Sequence, residues 1–260
     1  MPVKHHAIGP AEGHQHTHTV IFLHGRDSVA EEFAAEFFES EAGEGEGGNR
    51  TLLDLFPTIR WVFPTAPMLR SERFDTMMSQ WFDMWAVESP EGKPEIQQEG
   101  LRRSVKTILN IVLSEEAFVP RSKIFLGGIS QGFATALATF FAGGQGFAGL
   151  IGLSSWMPRI DCVDEQASQM DRAAAFKSIQ KLFSGDGRGP VSLTQMDATP
   201  IMVGHASDDE VVPVQKGLRM KNSLVYLGLT VEWHQYGDGG HWVNEPQGVN
   251  DICQFLRKHL

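Results

Sequence analysis

The sequence predicts an α/β fold, a mostly parallel central sheet with helices on both faces, and three observations carry that prediction. Apolar runs bounded by turn residues recur along the chain, helix-period segments lie between them, and the runs are mostly continuous rather than alternating. Continuous runs suit strands covered on both faces of a parallel sheet, and the alternation of strand with helix points to a doubly wound arrangement. Right-handed crossovers then collect functional loops at the carboxyl edge of the sheet.

The strands are expected at "TVIFLHG" (19–25), "IRWVFP" (59–64), "KIFLGG" (123–128), "AGLIGLSS" (148–155), "PIMVGH" (200–205) and "TVEWHQYG" (230–237). Helices fill the intervals. In "PEIQQEGLRRSVKTILNIVLSE", Ile96, Leu101, Val105, Ile108, Leu109 and Val112 share one face and charges occupy the other. Similar spacing marks 132–142, "VPVQKGLRMKNSLVYLG" and "GVNDICQFLRKHL". The Gly- and Glu-rich stretch 39–50 has no apolar anchor and reads as a mobile surface loop. The stretch 183–200, broken by Gly and Pro, reads as a linker or part of a lid.

A chain of 260 residues with 42% hydrophobic residues can bury a large core, and residues 1–260 are expected to form a single domain in which 1–18 is a flexible polar arm. The net charge of -10 argues against a nucleic-acid partner or an anionic membrane surface, both of which select basic patches, and leaves a small or acylated substrate. Cys162 and Cys253 cannot form a disulfide framework, which fits a reducing compartment. The N-terminus lacks the apolar core of a secretion signal, and no apolar run reaches the ~18 residues that cross a bilayer. A soluble cytoplasmic protein with no integral membrane segment is expected. His5, His6, His14, His16 and His18 could converge on a metal ion, but no Cys or carboxylate cluster stands near to complete a site, so no metal is expected.

Residues 128–132 read Gly-Ile-Ser-Gln-Gly, a Gly-x-Ser-x-Gly pattern lying between an expected strand and an expected helix. A serine before a helix can be a simple N-cap. On a tight strand-to-helix turn, however, it adopts a strained backbone, and side chains two residues to either side would strike neighbouring elements. That context makes Ser130 a candidate nucleophile. A hydroxyl is a weak nucleophile at neutral pH, so the reading demands an acid and a base later in the chain, in the order Ser, Asp, His. "GDGGHW" places His241 in a glycine-rich turn after a strand, ahead of the rivals His234, within a strand, and terminal His259. His205 precedes the acid loop and reads as structural. In "HASDDEVVP" both Asp208 and Asp209 are candidates for the acid, either could instead cap the next helix, and Asp238 is a weaker rival.

Taken together, "FLHGRDS", "FPTAP", "WFDM", "GGISQG", "HASDDEVVP" and "GGH" resemble, in order and approximate spacing over about 19–258, the acyl-protein thioesterase and small carboxylesterase family of α/β hydrolases. The resemblance implies an α/β-hydrolase fold, no cofactor, and cleavage of carboxylic esters or thioesters through an acyl-serine intermediate, S-acylated proteins included. The family's acid stands four residues before the proline, the place of Asp209 ahead of Pro213. Ser130 is then the nucleophile, His241 the general base, and Asp209 the holder of its tautomer. The backbone N–H groups of Arg26 and Gln131 would form the oxyanion hole. Where this family carries a glycine after the first strand, this chain has Asp27, and the Arg26 side chain is left either to a salt bridge with Asp27 or a nearby glutamate, or to substrate.

"MMSQWFDMW" (77–85) is either core or the wall of an acyl pocket, and the resemblance favours a pocket of Met77, Trp81, Phe82, Trp156 and Trp242. Rival readings are a dienelactone-hydrolase-like or peptidase activity on the same fold, or a non-catalytic binding protein. A homodimer is left open.

Overall fold

The structure, a computed structural model, describes residues 4–43, 50–143, 145–187 and 191–260. The chain opens with β1 (His5–Ile8) and β2 (His18–Leu23), followed by α1 (Ala30–Glu39), the short α2 (Leu52–Leu55) and β3 (Ile59–Pro64). A hairpin of β4 (Met68–Ser71) and β5 (Thr76–Ser79) precedes the long α3 (Pro94–Glu115). Thereafter β6 (Ile124–Ile129) leads into α4 (Gln131–Gly143), and β7 (Gly149–Leu153) into α5 (Ile160–Gln169), α6 (Arg172–Ser184) and α7 (Leu193–Asp197). Finally β8 (Ile201–Ala206) leads into α8 (Val214–Tyr226), and β9 (Val231–Tyr236) into α9 (Gln247–His259).

Seven strands form one sheet in the order β1-β3-β2-β6-β7-β8-β9, all pairs parallel except β1 with β3. Because side chains alternate across a strand, a continuous apolar run feeds two cores at once. Ile21 and Leu23 of β2 join the core under α3, α4, α6 and α8, whereas Val20 and Phe22 join an aromatic-rich core under α1 and α9. This is the α/β-hydrolase architecture expected from the sequence, with helices on both faces.

α4 is buried on all sides from Gln131 to Ala142, which is possible because its polar side chains are satisfied, the two threonines within the helix and Gln131 by the backbone of Trp81 and Phe82. The Thr135 hydroxyl donates to the Gln131 carbonyl at 2.9 Å and the Thr139 hydroxyl to Thr135 at 2.8 Å. In α3, Leu101, Val105, Ile108 and Val112 form the buried stripe, and Ile96 and Leu109 sit at its margin.

Residues 1–3 of the flexible arm expected at 1–18 lie outside the described residues, and both ends of the remainder are strand rather than free chain. His5–Ile8 pairs antiparallel with β3, His5 opposite Pro64 and Ala7 opposite Val62, and His18 already belongs to β2 and is buried. The reason is that backbone hydrogen bonding against the free edge of β3 does not depend on side-chain polarity, so composition hides it. Among the described residues no group of His, Cys, Asp and Glu could hold a metal ion. Nor is any described helix long and apolar enough to cross a membrane.

Of the stretch 39–50, residues 44–49 lie outside the described residues, as do 188–190 of the stretch 183–200. The remainder of 183–200 carries α7, whose Met196 is buried in the core, and feeds the amino end of β8. That is the opposite edge of the sheet from the cleft described next.

Candidate active site

Four turns at the carboxyl ends of β2, β6, β8 and β9 converge on one cleft of about 390 Å³, lined by residues that include Arg26, Ser130, Val211, His241 and Trp242. This is the edge where crossover topology gathers loops.

Ser130 sits between β6 and α4 with φ at +55°, in the left-handed region that a non-glycine residue seldom adopts. Its N–H donates to Leu153 O at 2.9 Å, and its carbonyl accepts both the Ala134 N–H at 3.1 Å and the Ser155 hydroxyl at 2.6 Å. Both flanking glycines are required by space. A Cβ on Gly132 would lie 2.2 Å from Leu23 O, and one on Gly128 2.6 Å from the same atom. The strained turn is therefore held by its surroundings from both sides.

His241 follows β9 in the turn Gly239–Gly240, and its Nδ1 lies 2.8 Å from Asp209 Oδ2. The carboxylate is the acceptor, so Nδ1 carries a proton, and in the neutral ring Nε2 is the free acceptor. Asp209 has no exposed side-chain surface. Its Oδ1 accepts the N–H groups of Val211 at 2.9 Å and Val212 at 2.8 Å. Burial by itself raises this carboxyl, but donation from His205 and His241, the charge of His241 and the Val212 N–H outweigh it and hold Asp209 well below the usual carboxylate range.

The rival residues are engaged elsewhere. Asp208 accepts the Gly240 N–H at 2.9 Å and so braces the turn that carries His241. Asp238 accepts the Asn244 amide, and His234 pairs with Asp251 at 3.1 Å on the edge strand. His259 lies near the end of α9 against Phe255.

The turn after β2 is rigid for reasons beyond its own residues. His24 is buried, and its Nε2 accepts the Ala66 N–H at 3.1 Å while its Nδ1 meets Gly25 O at 2.7 Å. An N–H can only donate, so the ring is neutral, and burial pushes its pKa down. The His24 carbonyl accepts the Trp81 indole N–H at 2.9 Å, and the Gln131 amide clamps the next turn, its Oε1 on Trp81 N–H and its Nε2 on Phe82 O, both at 2.8 Å. Gln131 begins α4, so its own N–H lacks an intrahelical acceptor.

Asp27 has φ at +59°, the left-handed backbone a glycine would supply, and aspartate tolerates it better than most residues. Among the described residues Arg26 forms an ion pair with neither Asp27 nor a glutamate. Its Nε donates to Gln80 Oε1 at 2.8 Å and its Nη2 to Ser71 Oγ at 3.0 Å, and Nη2 lies 3.5 Å from Asp83 Oδ1. The guanidinium is thus turned onto the β4–β5 hairpin, 5.6 Å from the ring centroid of Phe74 in its turn.

Of the expected pocket residues only Trp242 lines the cleft. Trp81, Phe82 and Trp156 are fully or almost fully buried in the core beneath α3 and α4. Met77 is 54% exposed, while its neighbour Met78 lines the cleft, because adjacent strand residues point to opposite faces. The apolar walls come instead from Phe33, Phe74, Met78, Val87, Ile129 and Val211. Phe74 sits in the hairpin turn, and the run "MLRSERFDTMMS" carries a turn-like "ERFD" between two short apolar segments that could have flagged it.

Two family models match the chain: phospholipase/carboxylesterase over residues 5–180 and prolyl oligopeptidase over residues 105–260. Acyl-protein thioesterase 1 of Yarrowia lipolytica is 27% identical over 250 residues, covering 94% of this chain and 93% of that protein. That of Gibberella zeae is likewise 27% identical, covering 95% of this chain and 92% of that protein. Among solved structures, Zea mays acyl-protein thioesterase 2 superposes with a TM-score of 0.70 at 21% identity, covering 99% of both chains. Arabidopsis thaliana SOBER1 superposes at 0.67 and 22% identity, covering 93% of this chain and 98% of that one, and both likenesses speak for the fold. With the first model spanning well over half its length and full-length curated relatives alongside, the chain belongs to the phospholipase/carboxylesterase family.

Proposed function

We propose that this protein is a serine hydrolase that cleaves carboxylic esters and thioesters, S-acylated proteins among them. The observation that carries the reading is the 2.8 Å contact of His241 Nδ1 with Asp209 Oδ2, in a cleft that also holds Ser130 on its strained turn. His241 Nε2, bare of its proton, takes the Ser130 proton as Oγ attacks the acyl carbon. The N–H groups of Arg26 and Gln131 hold the developing oxyanion. His241 then returns the proton to the departing alcohol or thiol, and water, activated by the same imidazole, releases the acid. Apolar walls of Phe33, Phe74, Met78 and Trp242 suit an acyl chain. The names of the curated relatives, acyl-protein thioesterases, support thioester substrates.

The test is hydrolysis of p-nitrophenyl esters from acetate to palmitate, beside a matched thioester series, by the wild type and Ser130→Ala. Serine-dependent turnover is expected, together with fluorophosphonate labelling that S130A abolishes. Absence of both from folded protein would leave a binding protein on a hydrolase scaffold. The match to the prolyl oligopeptidase model favours one second reading, a peptidase, which cleavage of peptidyl p-nitroanilides in preference to every ester would establish.

A further inference from the structure

We propose that His205 is a positioning residue that clamps the Asp209 carboxylate for His241, an inference that rests on Asp209 and His241 being the acid and base. His205 is the penultimate residue of β8 and has no exposed side-chain surface. Its Nε2 lies 2.8 Å from Val212 O and 3.3 Å from Asp209 Oδ2. A carbonyl can only accept, so Nε2 carries the proton and donates it to Val212 O, with Asp209 Oδ2 beside that bond, while the Val212 N–H in turn holds Asp209 Oδ1 at 2.8 Å. One imidazole therefore ties both the acid and the far side of its loop back to the strand from which the loop departs.

The other ring nitrogen makes the choice of histidine informative. Nδ1 is buried with no hydrogen-bond partner among the described residues, and a Cβ on Gly217 of α8 would lie only 2.4 Å from it. A buried bare nitrogen is a cost that an apolar side chain of similar size would avoid, so the site carries histidine for what Nε2 does. The close approach of α8 at Gly217, with Trp233 of β9 at 6.3 Å between ring centroids, also stops the imidazole from swivelling. His205 thus fixes the position of the oxygen, Asp209 Oδ2, that orients His241.

The test is a double-mutant cycle of His205→Leu and Asp209→Asn, read as kcat and KM on an activated p-nitrophenyl ester, with Tm recorded for each variant. H205L is expected to lower kcat by about tenfold or more with KM nearly unchanged, since a small displacement of a catalytic group is costly. In the D209N background it is expected to cost nothing further. His205→Gln, whose amide N–H can reach the same acceptors, is expected to recover most of the loss. Equal losses in both backgrounds, or full activity in folded H205L, would overturn the proposal and leave His205 a packing residue. If D209N itself retains wild-type kcat, the acid–base reading fails instead. Should H205L not fold, His205→Asn, too short to reach Oδ2, goes through the same cycle: a loss confined to the Asp209 background supports the clamp, and equal losses in both backgrounds overturn it.

Discussion

Phe33 of α1 and Trp242, the residue after His241, close one end of the cleft edge to face, their rings 5.6 Å apart at 79°. Behind them Phe37, Ile129, Leu153 and Val243 pack closely and leave no room for even a water-sized molecule. Trp242→Ala removes the indole that ends the cleft and leaves its volume to the acyl chain, so the ratio of kcat/KM for long over short acyl esters should rise about tenfold, the scale of a few extra buried methylenes. Phe33→Leu should shift the ratio in the same direction, by less. A ratio that stays constant in both would place the acyl chain against Phe74 and Met78 instead.

Trp81 should behave in the opposite way. Its indole N–H holds the His24 carbonyl and its ring has no contact with the cleft. Trp81→Phe strands that buried acceptor, and denaturant unfolding should show a loss of about 1–3 kcal/mol with the chain-length profile unmoved. A changed profile would return Trp81 to the pocket wall.

Gly132→Ala tests the packing of the turn that bears Ser130. Its Cβ would press into the backbone carbonyls of Leu23 and His24, at 2.2 and 2.5 Å, neither of which can rotate away. A loss of about 3 kcal/mol is expected from denaturant midpoints, along with activity. The substitution should not be tolerated as a neutral surface change would be.

Asp208 and Asp209 differ by one position and by their partners. Asp209→Asn removes the acceptor of the His241 proton and should lower kcat by roughly a thousandfold or more. Asp208→Asn disturbs only the Gly240 N–H contact and should cost about tenfold at most. Steady-state kinetics that reverse this order would move the acid to Asp208.

Stability should report the same carboxylate. The folded-state pKa of Asp209 lies below its unfolded value near 3.9, so its ionised form stabilises the fold at pH above about 4. That contribution fades as pH falls from there toward the depressed folded value. Denaturant midpoints of wild type and D209N should therefore differ at pH 7, and the gap should begin to narrow as pH falls below about 4 and go on narrowing at lower pH. A gap of constant size would mean that Asp209 contributes through shape alone.

Much of the fold was legible because its determinants are local. The parallel strands were visible as continuous apolar runs, bounded within one or two residues of where they lie, since a strand buried on both faces must be apolar throughout. The Gly-x-Ser-x-Gly pattern announced the turn at Ser130 because its two glycines answer steric demands within a few residues of chain. Order along the chain pointed to an acid near 208–209 and a base at 241. The face to which a side chain turned was not legible. Met78 rather than Met77 lines the cleft, and Trp81 faces the core, because the hairpin register and the Gln131 clamp decide it.

By itself, then, the sequence determined the layered architecture, the strained serine turn and the small set of residues from which an acid and a base could come. Only the tertiary structure decided that His5–Ile8 would complete an edge, that Arg26 would turn to Asp83, that Asp209 rather than Asp208 would meet His241, and that His205 would lie beneath both. The physical reason is range. Hydrophobic periodicity and glycine sterics act within a turn or a strand, whereas a hydrogen bond between residues 209 and 241 exists only once β8 and β9 lie side by side in register.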